Sequence, residues 1–238
     1  MRKEEIDEFW YREYFGCSLT EFEDASDKVY PHHYLRGYNG LFILKVNDKY
    51  IISAPENQML LCEKLINRGY DLLDERLLSE LLSNRFERII GPSWIGYPFW
   101  HTAALSAENI RIYNRSCPER EMLFSKLRNA CSSGEWSDCG INSSSENVAA
   151  LIADGEIVSA ASYELWGEHI AHIGIITHPL FRGRGYAGKV LSYLTNFIFD
   201  QGLIPQYRTL CLNKPAISVA RQCGYGQYAA HISVRLKR

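Results

Sequence analysis

Apolar residues recur along this chain with two spacings, one near 3.6 and one near 2, and the switches between them lay out its elements. Residues 3–16 carry Ile6, Phe9, Trp10 and Tyr14 as a helical stripe among acidic residues. After a turn-rich stretch over 24–38, two runs rich in β-branched residues, 40–46 and 49–53, flank Asn47-Asp48 and predict a hairpin. Pro55 opens a helix with Met59, Leu60, Cys62, Leu65 and Ile66 on one face, closing near Gly69, and a second helical pattern covers 72–82. Arg88-Ile-Ile-Gly91 then leads into Pro92-Ser-Trp-Ile-Gly-Tyr-Pro-Phe-Trp100. The expectation there is a buried loop packing Trp94, Tyr97 and Trp100, with the lining of a ligand cleft or domain seam as the alternative.

Small and polar residues over 101–107 place a domain boundary, dividing the chain into 1–108 and 109–238. Beyond it, 110–113 alternates as a strand, Pro118 starts a helix with Met122, Leu123, Leu127 and Ala130, and 134–146 is a loop rich in Gly, Ser and Asn. Strands 148–153 and 157–163 flank Asp154-Gly155, a strong hairpin turn. A corner at 166–168 leads into a strand over 169–177, a Gly-rich turn, a helix over 185–201, a strand over 206–212, a short helix over 215–223 and a last strand over 228–236. The order from 110 onward is therefore β-α-β-β-β-α-β-α-β. Hairpins followed by a crossover helix predict an α/β fold with a mixed (α+β) sheet rather than a doubly wound one. Hairpins and helices in both halves leave open a reading of the first hundred residues as a degenerate copy of the second.

Composition narrows the class. With 238 residues and 46% hydrophobic positions the chain can build a sizeable core in one or two domains. A net charge of −2 gives no general pull towards nucleic acid or an anionic membrane. Seven scattered cysteines with no CxxC or zinc-type spacing predict reduced thiols and no metal site. The start, Met1-Arg-Lys-Glu-Glu5, lacks the apolar core of a signal peptide, and no run approaches a membrane span. A cytoplasmic protein is expected.

The chemistry concentrates in His178-Pro-Leu-Phe-Arg-Gly-Arg-Gly-Tyr-Ala-Gly-Lys189. A strand that ends beside a Gly-rich helix start offers unpaired backbone N–H groups and the positive end of a helix dipole to a phosphate. Three templates compete. A dinucleotide fingerprint, Gly183-x-Gly185-x-x-Gly188, requires the strand to run straight into the first glycine and an acid at the end of the next strand. Here 178–182 intervene and the next strand ends at Leu212-Asn213. A P-loop, Gly183-x-x-x-x-Gly188-Lys189, requires Ser or Thr next to ligate Mg²⁺, and Val190 cannot.

The third template is Arg182-x-x-Gly185-x-Ala187, which resembles the (Gln/Arg)-x-x-Gly-x-(Gly/Ala) turn of the GNAT superfamily of acyl-CoA-dependent N-acetyltransferases. Thr177-His-Pro179 before the turn, Asn213-x-x-Ala216 after the next strand and Gly224-Tyr225 after the last helix extend the resemblance over about 109–238. More narrowly, Ala171-His-Ile-Gly174 and Pro205-Gln-Tyr-Arg-Thr-Leu210 are similar to a bacterial GNAT group with an extra N-terminal domain, and over 1–108 the likeness is looser. The resemblance implies a C-terminal GNAT domain with a smaller α/β N-terminal domain, and acetyl-CoA as co-substrate. It implies that Arg182, Gly183, Arg184, Gly185, Tyr186, Ala187 and Gly188 hold the pyrophosphate. Ile175, Ile176 and Thr177 would pair with the pantetheine amides, beside Asn213 and Ser218.

Acetylation of an amine requires a base within reach. His172 has a near-neutral reference pKa and lies on the central strand, with Glu164, Glu168 and His169 as neighbours at the hairpin corner. A lone strand histidine is also a common core residue, so both roles stay open. Many relatives carry a tyrosine acid seven residues after the asparagine, where this chain has Ala220, which leaves Tyr225 as the next candidate acid. Glu135-Trp136 falls where substrate-binding loops of the family lie, with a surface loop anchored by one tryptophan as the alternative. The expected activity is acetyl transfer from acetyl-CoA to an amine, a small molecule rather than a basic protein tail. The alternative is a non-catalytic acyl-CoA-binding sensor or scaffold. A homodimer is left open.

Overall fold

A computed structural model describes residues 3–98, 108–141 and 145–237. The chain forms two compact units: Met1–Gly96 with Thr209–Lys214 and Gln227–Arg238, and Tyr97–Arg208 with Pro215–Gly226. The segment over 99–107, where the sequence places its boundary and Trp100, lies outside the described residues, as do 142–144 of the expected 134–146 loop.

In the first unit, α1 (Lys3–Glu8) runs into a π-helical turn, Phe9–Phe15, followed by α2 (Leu19–Glu23). The widened turn puts Phe9, Trp10, Tyr14 and Phe15 on one buried face, each at most 3% exposed. Three strands follow, β1 (Lys28–Pro31), β2 (Gly40–Val46) and β3 (Lys49–Ala54). β1 falls inside the stretch expected to be turns. It is only four residues long and pairs in parallel with β3, so no local alternation announces it. The β2–β3 turn has Asn47 and Asp48 at φ 50° and 64°, the left-handed pair that a tight hairpin demands and that Asn and Asp tolerate. Helices α3 (Met59–Ile66) and α4 (Glu75–Leu82) cover this sheet, α4 beginning where the Asp74 carboxylate accepts from the Arg76 and Leu77 amides.

The aromatic stretch is a correction to the expected loop: residues Phe86–Pro98 form one strand, β4. Trp94 and Tyr97 are buried, as expected. What masks the strand in the sequence is Gly96, whose missing side chain makes the space for the Trp94 indole; a Cβ there would lie 2.0 Å from the ring.

The second unit begins its regular structure with β5 (Ile110–Asn114) and α5 (Arg120–Ala130). Next comes α6 (Ser133–Asp138), which corrects the reading of 134–146 as wholly loop. Ser132 and Glu135 form a reciprocal capping box, a helix-start signature that the Gly- and Ser-rich composition obscured. Then follow β6 (Asn147–Ala153), β7 (Glu156–Trp166), β8 (Ile170–Thr177), α7 (Tyr186–Asp200), β9 (Ile204–Leu210), α8 (Lys214–Gln222) and β10 (Tyr225–Leu236). Asp154 and Gly155, at φ 53° and 77°, make the expected tight turn between β6 and β7. The strand order is β9-β8-β7-β6-β5 here, and β1-β3-β2-β10-β4 in the first unit. β8–β9 and β1–β3 are parallel and β5–β6, β6–β7, β7–β8, β2–β3 and β10–β2 antiparallel, so the sheet is mixed as the element order requires. One core lies under α5 and α6, where Phe124, Leu127, Cys139 and Ile141 meet Val148, Ala150, Ala160 and Ile176. Burying each of the larger of these, Phe124, Leu127, Ile141, Val148 and Ile176, contributes roughly 1.5–3 kcal/mol. Among the described residues no helix is long and apolar enough to cross a membrane.

Candidate active site

β8 lies between β7 and β9 and supplies the site's floor. It pairs with β7 along its full length, from Trp166↔Ile170 to Ser159↔Thr177. Its parallel pairing with β9 runs only from Ile170↔Ile204 to Ile173↔Tyr207. The strand then continues four residues, Gly174, Ile175, Ile176 and Thr177, past the last pair. Ser159 Oγ lies 2.8 Å from Thr177 Oγ1, fixing the side chain at that end.

Beyond Thr177, His178 caps a short turn of 3₁₀ helix, its Nδ1 accepting from the Leu180 amide at 3.2 Å. Gly183 and Gly185 both adopt left-handed φ, 77° and 78°, and nothing lies within 4 Å of a Cβ built on either. α7 starts directly after Gly185, with no side-chain cap and no acid in its first turn. No side chain caps the start of this 15-residue helix, and Arg182, Arg184 and Lys189 lie along the turn and its first residues, an arrangement that suits a phosphate group. Arg184 lies over the Phe181 ring at 5.0 Å. Arg182 donates from Nε to Thr177 O at 3.1 Å and from Nη2 to Glu135 Oε1 at 2.6 Å. With Ser132 amide and Arg182 bonds on its two oxygens, the Glu135 carboxyl is held down to about 2. α6 is thus tied to the glycine turn through one side chain.

α6 also rests on β8. The Cys139 carbonyl, at the end of α6, lies where a Gly174 side chain would be, with only 1.8 Å between that oxygen and a built Cβ. His172 is two residues earlier on the same face of the strand. Its Nδ1 is 3.2 Å from Gln206 Oε1, and its ring stacks on Trp166 at 4.5 Å. Gln206 is fully buried and donates its amide N–H to the Tyr97 hydroxyl, so its oxygen faces the imidazole. That arrangement puts the proton on Nδ1 and leaves Nε2 as the acceptor. Burial, then the Arg208 charge, pull His172 down to about 4, so it is neutral at physiological pH. Arg208 lies over the other partner, the Trp166 ring, at 5.8 Å.

The remaining expected residues stand as follows. Tyr225 is 2% exposed, its hydroxyl is 2.6 Å from Thr195 Oγ1, and its ring meets Tyr207 edge-on at 6.2 Å. Burial pushes its pKa far up, so it sits in the core as a neutral hydroxyl. Ala220 is buried, so nothing at that position reaches a ligand. Asn213 is exposed at the residue before α8, its amide bonded to Leu210 O at 2.9 Å, and Ser218 is exposed on α8. Glu164 is the cross-strand neighbour of His172. Sequence reasoning missed Gln206, Tyr97 and Trp166, the residues that orient His172. A glutamine inside the apolar strand at 204–207 was the one available signal, since a fully buried amide needs partners.

The family model of the GNAT acetyltransferase matches residues 148–231, from β6 into β10. Over those residues the chain is similar to GNAT acetyltransferases. Solved structures agree on the fold. A GNAT-family protein from Novosphingobium aromaticivorans DSM 12444 superposes with a TM-score of 0.50 at 18% identity, covering 65% of this chain and 67% of its own. A GNAT acetyltransferase from Colwellia psychrerythraea gives 0.51 at 18% identity, covering 77% and 75%. No curated protein matches the chain. A GNAT acetyltransferase match implies acyl transfer from an acyl-CoA donor, and the glycine turn at the start of α7 lies inside the matched region.

Proposed function

We propose that this GNAT protein transfers an acetyl group from acetyl-CoA to the amine of a small molecule. The observation that carries the reading is the conjunction, on one strand and the turn after it, of an uncapped helix start and a strand edge past its last parallel pair. When bound, acetyl-CoA supplies an acetyl group already activated as a thioester. Everything else falls to the chain. The amides from Gly183 to Gly188 and the guanidinium groups of Arg182 and Arg184 hold the pyrophosphate. Backbone groups of Ile175, Ile176 and Thr177 orient the pantetheine arm, with Asn213 and Ser218 assigned to it by the family resemblance. His172 accepts the amine's proton at Nε2. A base with so low a pKa is weak, so most of the rate comes from positioning rather than from proton affinity.

Tyr225 has no part in this scheme, because its hydroxyl is committed to Thr195. A thiol's reference pKa near 8.5 lets the leaving group depart as thiolate and take its proton from water. The near-neutral charge of the chain favours a small acceptor over a basic polypeptide. Thiol release with acetyl-CoA and a broad panel of small amines tests the reading. Release above the hydrolytic background is the expected result. Binding of acetyl-CoA without release from any amine returns the chain to a non-catalytic acyl-CoA-binding role.

A further inference from the structure

Between α5 and α6 lies a cavity of about 320 Å³, lined by Arg120, Glu121, Phe124, Arg128, Trp136 and Ile141. Its size is at the lower end of small-molecule sites. The walls divide by chemistry. Phe124, Trp136 and Ile141 give an aromatic and apolar side, while two arginines stand against one glutamate. Arg120 is 8% exposed, an unusual position for a guanidinium. Burial lowers its proton affinity, yet a guanidinium keeps its charge at neutral pH. The neighbouring acids that attract it, Glu121 and Glu146, are both exposed. Glu121 is also engaged with Arg128, at a loose 3.6 Å. A ligand acid group would meet two planar forks built for bidentate recognition.

One side of the cavity is built by the helix that packs on the reacting strand. Trp136 is on α6, the same short helix that holds Glu135 against Arg182 and ends at the Cys139 carbonyl packed on Gly174 of β8. We propose that this cavity binds the acceptor, and that the acceptor is an amine carrying a carboxylate and an apolar or aromatic body. Arg120 and Arg128 hold the acid group, and Phe124, Trp136 and Ile141 hold the body. The substrate class is thus an apolar amino acid or a close analogue. The inference rests on the acetyltransfer reading for the reaction, but its binding half stands apart from it.

The test compares phenylalanine with its methyl ester, which keeps the amine and ring and loses the charge. Thiol release should favour the acid by about tenfold or more in kcat/KM, the scale of a charge-assisted hydrogen bond. Arg128→Met, at an exposed position, should remove most of that preference; Arg120→Met should do the same if its melting temperature shows that it folds. Calorimetry of phenylalanine binding reads the site without turnover. No preference for the acid over the ester, or a preference intact in Arg128→Met, overturns the inference while leaving acetyltransfer standing. Phenylalanine binding that depends on Arg128, without thiol release from any amine, upholds the site and overturns the reaction.

Discussion

Gly174→Ala is the substitution whose cost the structure fixes best. An added Cβ would stand 1.8 Å from Cys139 O, 2.7 Å from Cys139 C and 3.1 Å from Gly140 Cα. A carbon and a carbonyl oxygen in close contact normally keep about 3.3 Å or more. The end of α6 must therefore withdraw from β8 by roughly 1.5 Å. Overpacking costs about 1–3 kcal/mol, and the obstacle here is backbone, which no rotamer change relieves, so the upper end applies. For a chain of this size about 3 kcal/mol lowers the melting temperature by roughly 6–12 °C. Gly188→Ala is the control. Its Cβ meets only Cys223 Sγ, at 3.8 Å, an ordinary contact, and alanine is the better helix residue. Melting curves by circular dichroism, in one buffer, should show Gly188→Ala within a few degrees of the parent and Gly174→Ala well below it. A Gly174→Ala melting point within 2 °C of the parent would refute the close seating of α6 on the strand. The same displacement moves Trp136 and Glu135, so the acceptor KM should rise in this variant.

Three further outcomes are expected. His172→Gln should lower kcat by about 10²-fold, the low end for loss of a general base, with acetyl-CoA affinity unchanged; unchanged turnover removes the assignment. The folded His172 pKa of about 4 lies below the usual 6.5, so its contribution to stability is present above pH 6.5 and is lost as pH falls towards 4. Urea unfolding at pH 7.5 and 4.5 should show a smaller acid loss for His172→Gln, by up to roughly 3 kcal/mol. Gly185→Val places a β-branched residue at φ 78°, in the space beside the helix amides, and should abolish acetyl-CoA binding by calorimetry. Arg182→Ala should weaken that binding about tenfold, while its exposed pair with Glu135 contributes too little for the melting point to move more than a few degrees.

Much of the fold was legible because local rules and tertiary packing agree. Asn47-Asp48 and Asp154-Gly155 fixed two hairpins, and the Gly-rich turn fixed the start of α7. What escaped has local causes. The aromatic run at 92–98 looked like a loop because Gly96 and two prolines carry weak strand propensity, although Gly96 is where Trp94 packs. α6 was hidden because its capping box sits inside a segment with loop composition. In the site, the glycine turn could be read from spacing alone, whereas the setting of His172 could not. It depends on Gln206 and Tyr97, brought together from positions more than a hundred residues apart. The burial of Tyr225 depends likewise on Thr195, thirty residues away in the chain.

Isothermal titration of the parent protein with acetyl-CoA, with Gly185→Val alongside, decides whether the turn after β8 is an acyl-CoA site. The parent should bind at tens of micromolar or tighter, an affinity of roughly 6 kcal/mol or more, and the variant should give no heat while keeping its fold by circular dichroism. Absence of binding in the parent, or equal binding in a folded Gly185→Val, would contradict the assignment of that turn.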